Sequence, residues 1–328
     1  MKKSSTRLWI SILASALFIV LTLYKVDFQK TGEALETANY IYLPLGVMLS
    51  LLTNIIRSYR WKYVLNPIQK ISILSVFSVV SIGYMANNIL PARLGEFVRA
   101  YIIGKKEGIS KSTTLATIVV ERIFDGLTLL FFLTLISLFF PLPLWIKRVG
   151  FAATVFFLSL SVFLLILMFK KTIGIRLVER GVSLFSSYIA QRASRLMDSF
   201  LSGLVIINHK KDILMAFLFS VIAWLAEATT YYVIGLSFGI DLPLYVPVLT
   251  VVIVNLGIMI PSAPGYVGTF EFFCISVLAI FSVEKSIALS FAIVLHAVLF
   301  IPITIVGMIY FWKENLSFAE IDTVKLSH

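Results

Sequence analysis

The chain has 328 residues, 59% of them hydrophobic and 14% charged, with a mean hydropathy of +0.97 and a formal net charge of +11. A soluble domain is nearer half apolar and a quarter charged, so this composition excludes an ordinary water-soluble fold and points to lipid. The single Cys274 excludes an intrachain disulfide, and the scattered His209, His296 and His328 offer no metal-ligand spacing, so neither a metal nor a cofactor is expected.

In chain order, the first apolar run, 8–23, follows MKKSSTR but lacks the small-x-small site of a cleaved signal peptide, and is expected to remain as a first span. Runs 40–56, 113–140, 151–169, 213–236 and 286–311 are each close to the roughly 20 residues that cross a hydrocarbon core of about 30 Å as a helix. That predicts six crossings. Two further apolar segments are interrupted. Segment 71–90 ends in Asn87-Asn88-Ile89-Leu90-Pro91 and has basic flanks on both sides, which reads as re-entrant rather than spanning. Segment 244–281 is broken by PSAPGYVG at 261–268, whose prolines and glycines cannot sustain a regular helix, and is either a second hairpin from the other side or two crossings.

With the first hairpin dipping from the inside, twenty-two Lys and Arg fall on the cytoplasmic side and five outside. The positive-inside rule then predicts cytoplasmic termini in a multi-pass protein of the cell membrane, and the basic excess needs no nucleic acid. Stretch 170–212 is too polar to cross. Its apolar residues recur at helical spacing among arginines, as in amphipathic helices on the inner leaflet or a loop packed on the bundle. It divides a single membrane domain into halves 1–169 and 213–312, followed by a tail at 313–328. The fold expected is an all-α bundle of about six full spans plus two broken hairpins, one per half, the pattern of an inverted repeat.

Charged side chains at membrane depth cost several kcal/mol unless paired or wetted, so each is a site candidate. Arg93, Glu96 and Arg99 lie on one helical stripe after the Pro91 break, where a helix N-terminus suits a phosphate or carboxylate; the alternative is an interfacial packing ladder. Glu121, Arg122 and Asp125 sit about three turns into an apolar run, and two carboxylates round one arginine require a partner such as Arg93 or Arg99, or a proton. A structural ion-pair knot is the alternative. Glu271 follows the second break beside Gly265 and Gly268; Glu227 and His296 are weaker candidates, and Arg57, Arg60 and Trp61 read as an interfacial anchor. The breaks, Asn87-Pro91-Gly95 and Asn255-Pro261-Gly265, run parallel in position, one per half; their correspondence rests on that placement and not on the Pro-to-Gly spacing, which Pro264 and Gly268 also show.

At these residues the chain resembles the lysylphosphatidylglycerol synthase transmembrane family, a flippase-like domain. The matching pieces are R-x-x-R-W at Arg57 to Trp61, N-x-x-x-P-x-R-x-G-E-x-x-R from Asn87 to Arg99, E-R-x-x-D from Glu121 to Asp125, and P-S-x-P-G-x-x-G-x-x-E from Pro261 to Glu271. Ala92 departs from the pattern, where glycine is expected. No soluble synthase domain follows, so a stand-alone member without lysyl transfer is expected. The resemblance implies a protein that moves or binds an anionic lipid headgroup, with Asn87, Arg93, Glu96, Arg99, Glu121, Arg122, Asp125 and Glu271 near the path. Membrane lipids are the expected partners, with a homo-oligomer or a lipid-modifying or glycosyl-transferring enzyme as further ones. An intramembrane enzyme is the third reading, but no nucleophile–base set such as G-x-S-x-G with a histidine is present, and no Walker motif.

Overall fold

The computed structural model describes residues 2–90, 94–170 and 187–317. Pro91, Arg93 and part of the connector lie outside the described residues. Among the described residues there are twelve α-helices and no strand: α1 (Lys2–Leu23), α2 (Phe28–Thr37), α3 (Leu43–Leu65), α4 (Ile73–Ile89), α5 (Gly95–Glu107), α6 (Lys111–Phe139), α7 (Leu144–Phe169), α8 (Ser187–Ser202), α9 (Lys210–Ser237), α10 (Tyr245–Gly257), α11 (Thr269–Leu278) and α12 (Lys285–Lys313). Six segments are long and apolar enough to cross a membrane, or seven if the bent pair α1–α2 is one span. That pair turns through 85° at residues 24–27, where Asp27 caps α2 by accepting from the Gln29 and Lys30 N–H groups.

The first broken segment folds back on itself. Ser72 caps α4, and the chain becomes extended at Leu90, as a following proline requires. Helix α5 returns alongside and stops at Gly108, whose φ of 72° is open to glycine. At the open end the Ser75 hydroxyl donates to Glu107 Oε1 at 2.5 Å; at the tip Asn87 Oδ1 accepts from the Gly95 N–H at 2.9 Å. A Cβ on Gly95 would lie 2.0 Å from the Gly83 carbonyl, so the two backbones touch.

The second broken segment is also a hairpin. Helix α10, 13 residues or about 20 Å, is too short to cross. Pro264–Phe281 has the length and apolarity of a span, and Phe281 comes back to within 5.9 Å of Tyr245, ring to ring, so both ends of the segment lie together; the short α10 and the Gly265 turn, which stops against Asn88 of the first hairpin, decide against two crossings. Tyr245 also stacks on Phe140 at 3.7 Å, beyond the C-terminus of α6, whereas the first hairpin's open end joins the α6 N-terminus. The hairpins therefore enter from opposite ends of the bundle. Their tips meet: a Cβ on Gly265 would sit 3.5 Å from the Asn88 carbonyl, and the Asn88 amide donates to Thr304 of α12 at 2.8 Å.

Each hairpin has its own apolar core. Trp61, Ile82, Val98, Ile118 and Phe311 surround the first, and Ile234, Val252, Phe270, Phe291 and Leu295 the second. Helix α8 packs by its C-terminal half on the start of α6, where Ser112 and Thr113 hydroxyls donate to the Leu196 and Ser199 carbonyls. Helix α7 lies at the periphery, with Phe151, Phe156, Phe163 and Phe169 turned outward and Phe157 seated on Gly126 of α6.

Candidate functional site

Between the two cores lies an ion network that joins α3, α5, α6 and α9. Helix α3 runs nine residues past the predicted end of its span, to Leu65, carrying Arg57 and Arg60 inward. Arg60 has no exposed surface and bridges Glu121 and Asp125 through direct ion pairs. Arg99 takes the other oxygen of Glu121 at 2.7 Å, and its guanidinium stacks 4.1 Å from the Trp61 ring, whose Nε1 donates to Thr117 at 3.1 Å. Trp224 Nε1 donates to Asp125 at 3.1 Å. Arg57 pairs with Glu227, which also accepts from the Asn255 amide at 3.3 Å.

Among the described residues, Arg57, Arg60, Arg99 and Arg122 thus face Glu96, Glu121, Asp125 and Glu227, four charges of each sign. Pairing of this kind is what lets so many charges sit at membrane depth. The partner that two adjacent carboxylates require comes from Arg60 as well as Arg99. Arg122 is held differently. Its contacts to Asp125, Glu121 and Glu96 are 3.3, 3.4 and 3.7 Å long and its side chain is 31% exposed; its Nε, like those of Arg60 and Arg99, has no hydrogen-bond acceptor.

A cavity of about 390 Å³ opens beside this network. Its lining combines the charged Arg57, Glu96, Arg122, Asp125 and Glu227 with the apolar Leu129, Phe157, Leu160, Phe270 and Phe300. The buried Tyr231 hydroxyl and Asn54 Oδ1 border it without a hydrogen-bond partner. A concave apolar site with few polar groups is the usual form of a small-ligand site.

Of the residues the sequence singles out, Asn87, Glu96, Arg122 and Asp125 line the cavity, while Arg99 and Glu121 are buried in the ion network and do not line it. Glu271 is elsewhere. It caps α11 by accepting the Gly268 N–H at 2.7 Å and meets His296 of α12, contributing to the hairpin tip rather than to the cavity lining. Pro261, Pro264, Gly265 and Gly268 form the turn itself, where Gly265 and Gly268 have φ of 69° and 85°. Sequence reasoning underrates Arg60, Arg57 and Glu227. Their signal is the i, i+3 spacing of Arg57 and Arg60, which puts both on one face if the span continues for two more turns.

An all-α bundle of membrane-length helices, with two opposed hairpins meeting over a buried ion network, defines a multi-span helical membrane protein. Residues 8–307 match the family described as lysylphosphatidylglycerol synthase TM region, and the chain belongs to that family. It is similar to a UPF0104 membrane protein of Methanocaldococcus jannaschii, 24% identical over 94% of this chain and 95% of that one. A second UPF0104 membrane protein, from Methanothermobacter thermautotrophicus, is 24% identical over 84% of this chain and 86% of its own length. The glycosyltransferase AglD of Haloferax volcanii is 26% identical over 92% of this chain but 52% of its own length.

Proposed function

We propose that the protein binds the headgroup of an anionic lipid in the central cavity and moves it across the cytoplasmic membrane while the acyl chains stay in the bilayer. The observation that carries this is Arg122, a partly exposed cation at membrane depth that lines the cavity and whose own carboxylates hold it loosely. A phosphate oxygen offers such a guanidinium a better acceptor than contacts longer than 3.2 Å. The apolar lining, with α7 as its thin outer member, gives the acyl chains a route beside the headgroup.

The test uses proteoliposomes holding NBD-labelled phosphatidylglycerol, with dithionite reading out the lipid that reaches the outer leaflet. The purified protein raises the exchange rate above that of empty vesicles, Arg122→Gln lowers it about tenfold or more, and Arg122→Lys keeps part of it. Wild-type exchange equal to that of protein-free vesicles would sink the reading.

The resemblance to AglD favours a second reading. A region similar to 92% of this chain makes up about half of a protein named as a glycosyltransferase, which favours the bundle serving as the membrane half of a two-protein lipid-modifying system. A stoichiometric enzyme partner on purification, together with exchange rates indifferent to Arg122, is the outcome that favours it.

A further inference from the structure

Glu271 and His296 are the titratable pair that the cavity does not use. Neither lines it; both hold the tip of the second hairpin. His296 Nε2 lies 2.9 Å from the Gly265 carbonyl, Glu271 Oε2 accepts the Gly268 N–H at 2.7 Å, and His296 Nδ1 touches Glu271 Oε1. One side chain from α11 and one from α12 therefore fasten both ends of the Gly265–Gly268 turn.

The hydrogen-bond inventory of this arrangement does not close without an extra proton. A carbonyl oxygen only accepts, so the bond to Gly265 puts a hydrogen on Nε2. In a neutral imidazole that leaves Nδ1 as an acceptor, and an ionised carboxylate has only acceptors. Two acceptors repel at hydrogen-bond distance. The contact between Nδ1 and Oε1 thus contains one further proton, whether it resides on the ring or on the carboxyl, and with it the pair is neutral overall. Removing that proton leaves one N–H for two acceptors: with it on Nε2 the carboxylate faces a lone pair, with it on Nδ1 the Gly265 carbonyl does, so one of the two ties lets go unless water enters.

We infer that the Glu271–His296 pair is a proton-binding site that latches the second hairpin, so that proton occupancy decides whether the Gly265 turn stays seated against Asn88 of the first hairpin. The latch reaches the cavity directly. The His296 ring lies 4.6 Å from that of Phe270 and 4.2 Å from that of Phe300, and both phenylalanines wall the cavity. Tyr266, which also lines it, is held at φ 61°, a conformation that a residue with a side chain rarely adopts unless tied. Around the pair, α11 presents the Cys274 thiol one turn beyond Glu271, α1 presents Ser15 and Phe18 to the tip and α11, and α9 brings Tyr231 against Phe270. Glu227 of α9 is engaged by Arg57, and among the described residues no other ion pair involves Glu271 or His296.

As a coupling device, the site makes the proton the driving ion for headgroup movement. That consequence rests on the proposed transport function; the latch itself does not.

Hydrogen–deuterium exchange of the purified full chain in lipid nanodiscs, corrected for the intrinsic exchange rate at each pH, tests it from about pH 5 to about pH 9. Protection of segment 262–272 in the wild type is expected to fall about tenfold or more as pH rises and the proton leaves. In Glu271→Gln the amide can donate to Nδ1 and its oxygen can still accept from Gly268, so protection is expected to stay high at every pH. His296→Leu, which loses both bonds, is expected to stay unprotected throughout. A flat wild-type profile overturns the latch, and so does a Glu271→Gln profile that follows the wild type; the wild-type arm needs no variant to fold. Lipid exchange measured over the same pH range separates the two ideas. A titrating latch with no lipid movement overturns the transport reading alone, and a titrating latch with pH-independent movement overturns the coupling.

Discussion

Arg60 and Arg122 belong to one network yet are built for different tasks. Arg60 is completely enclosed and holds Glu121 and Asp125 through direct pairs, so its removal strands buried charge. Breaking such a pair costs about 3–5 kcal/mol because the abandoned partner keeps its desolvation penalty. Arg60→Met is therefore expected to lower the thermal midpoint of the purified protein sharply. Adding Asp125→Asn to that variant restores the charge balance and should recover part of the loss. If the double variant is less stable than the single one, Asp125 is not the stranded charge. Arg122, with longer contacts and a third of its side chain exposed, should cost far less stability when changed to Gln, and its effect should appear in lipid exchange instead. The sequence brings Glu121, Arg122 and Asp125 into view because charges inside an apolar run stand out. Arg60 does not stand out, because an arginine after an apolar run looks like the end of a span; only carboxylates 61 and 65 residues further on make burial tolerable.

The hairpins depend on backbone contact that only glycine permits. At Gly95 a Cβ would fall 2.0 Å from the Gly83 carbonyl, a backbone atom that cannot rotate aside, so Gly95→Ala must prise α4 from α5. We expect a loss of about 1–3 kcal/mol, the usual range for overpacking. Gly32→Ala supplies the opposite sign: nothing lies within 4 Å of its Cβ, and it sits inside α2, where alanine is favoured by up to about 1 kcal/mol. Equal midpoints for the two variants would show that the α4–α5 contact does not matter to stability. Both breaks are legible from Pro91 and from the PSAPGYVG stretch, since prolines and glycines interrupt apolar runs visibly. Whether 244–281 folds back or crosses twice is not legible, because length and apolarity permit both; the meeting of the Gly265 turn with Asn88 of the opposed hairpin decides it. The 85° turn at residues 24–27 leaves only the capping Asp27 as a local sign.

At the scale of the molecule, opposed hairpins divide the bundle into a basic end and a less basic end. The open end of the first hairpin gathers Lys62, Lys70, Lys105, Lys106 and Lys111 with the α9 start at Lys210 and Lys211, and Lys106 pairs there with Glu314. Lys25, Lys30, Lys147, Arg148 and Lys285 mark the other end. Arg57, Arg60 and Arg99, counted in the sequence as loop charges, belong instead to the buried network. Nineteen basic residues then remain on the predicted cytoplasmic side against five, and the bias keeps its sign. The positive-inside rule predicts that the first hairpin enters from the cytoplasm and the second from outside. Maleimide labelling in intact cells tests that orientation, because Cys274 is buried and the exposed Gln29 and Gln69 lie at opposite ends. A membrane-impermeant reagent should label Gln29→Cys in intact cells and Gln69→Cys only after permeabilisation. The reverse pattern would invert the bundle and place the Glu271–His296 hairpin on the cytoplasmic side, changing the compartment whose pH the latch reads.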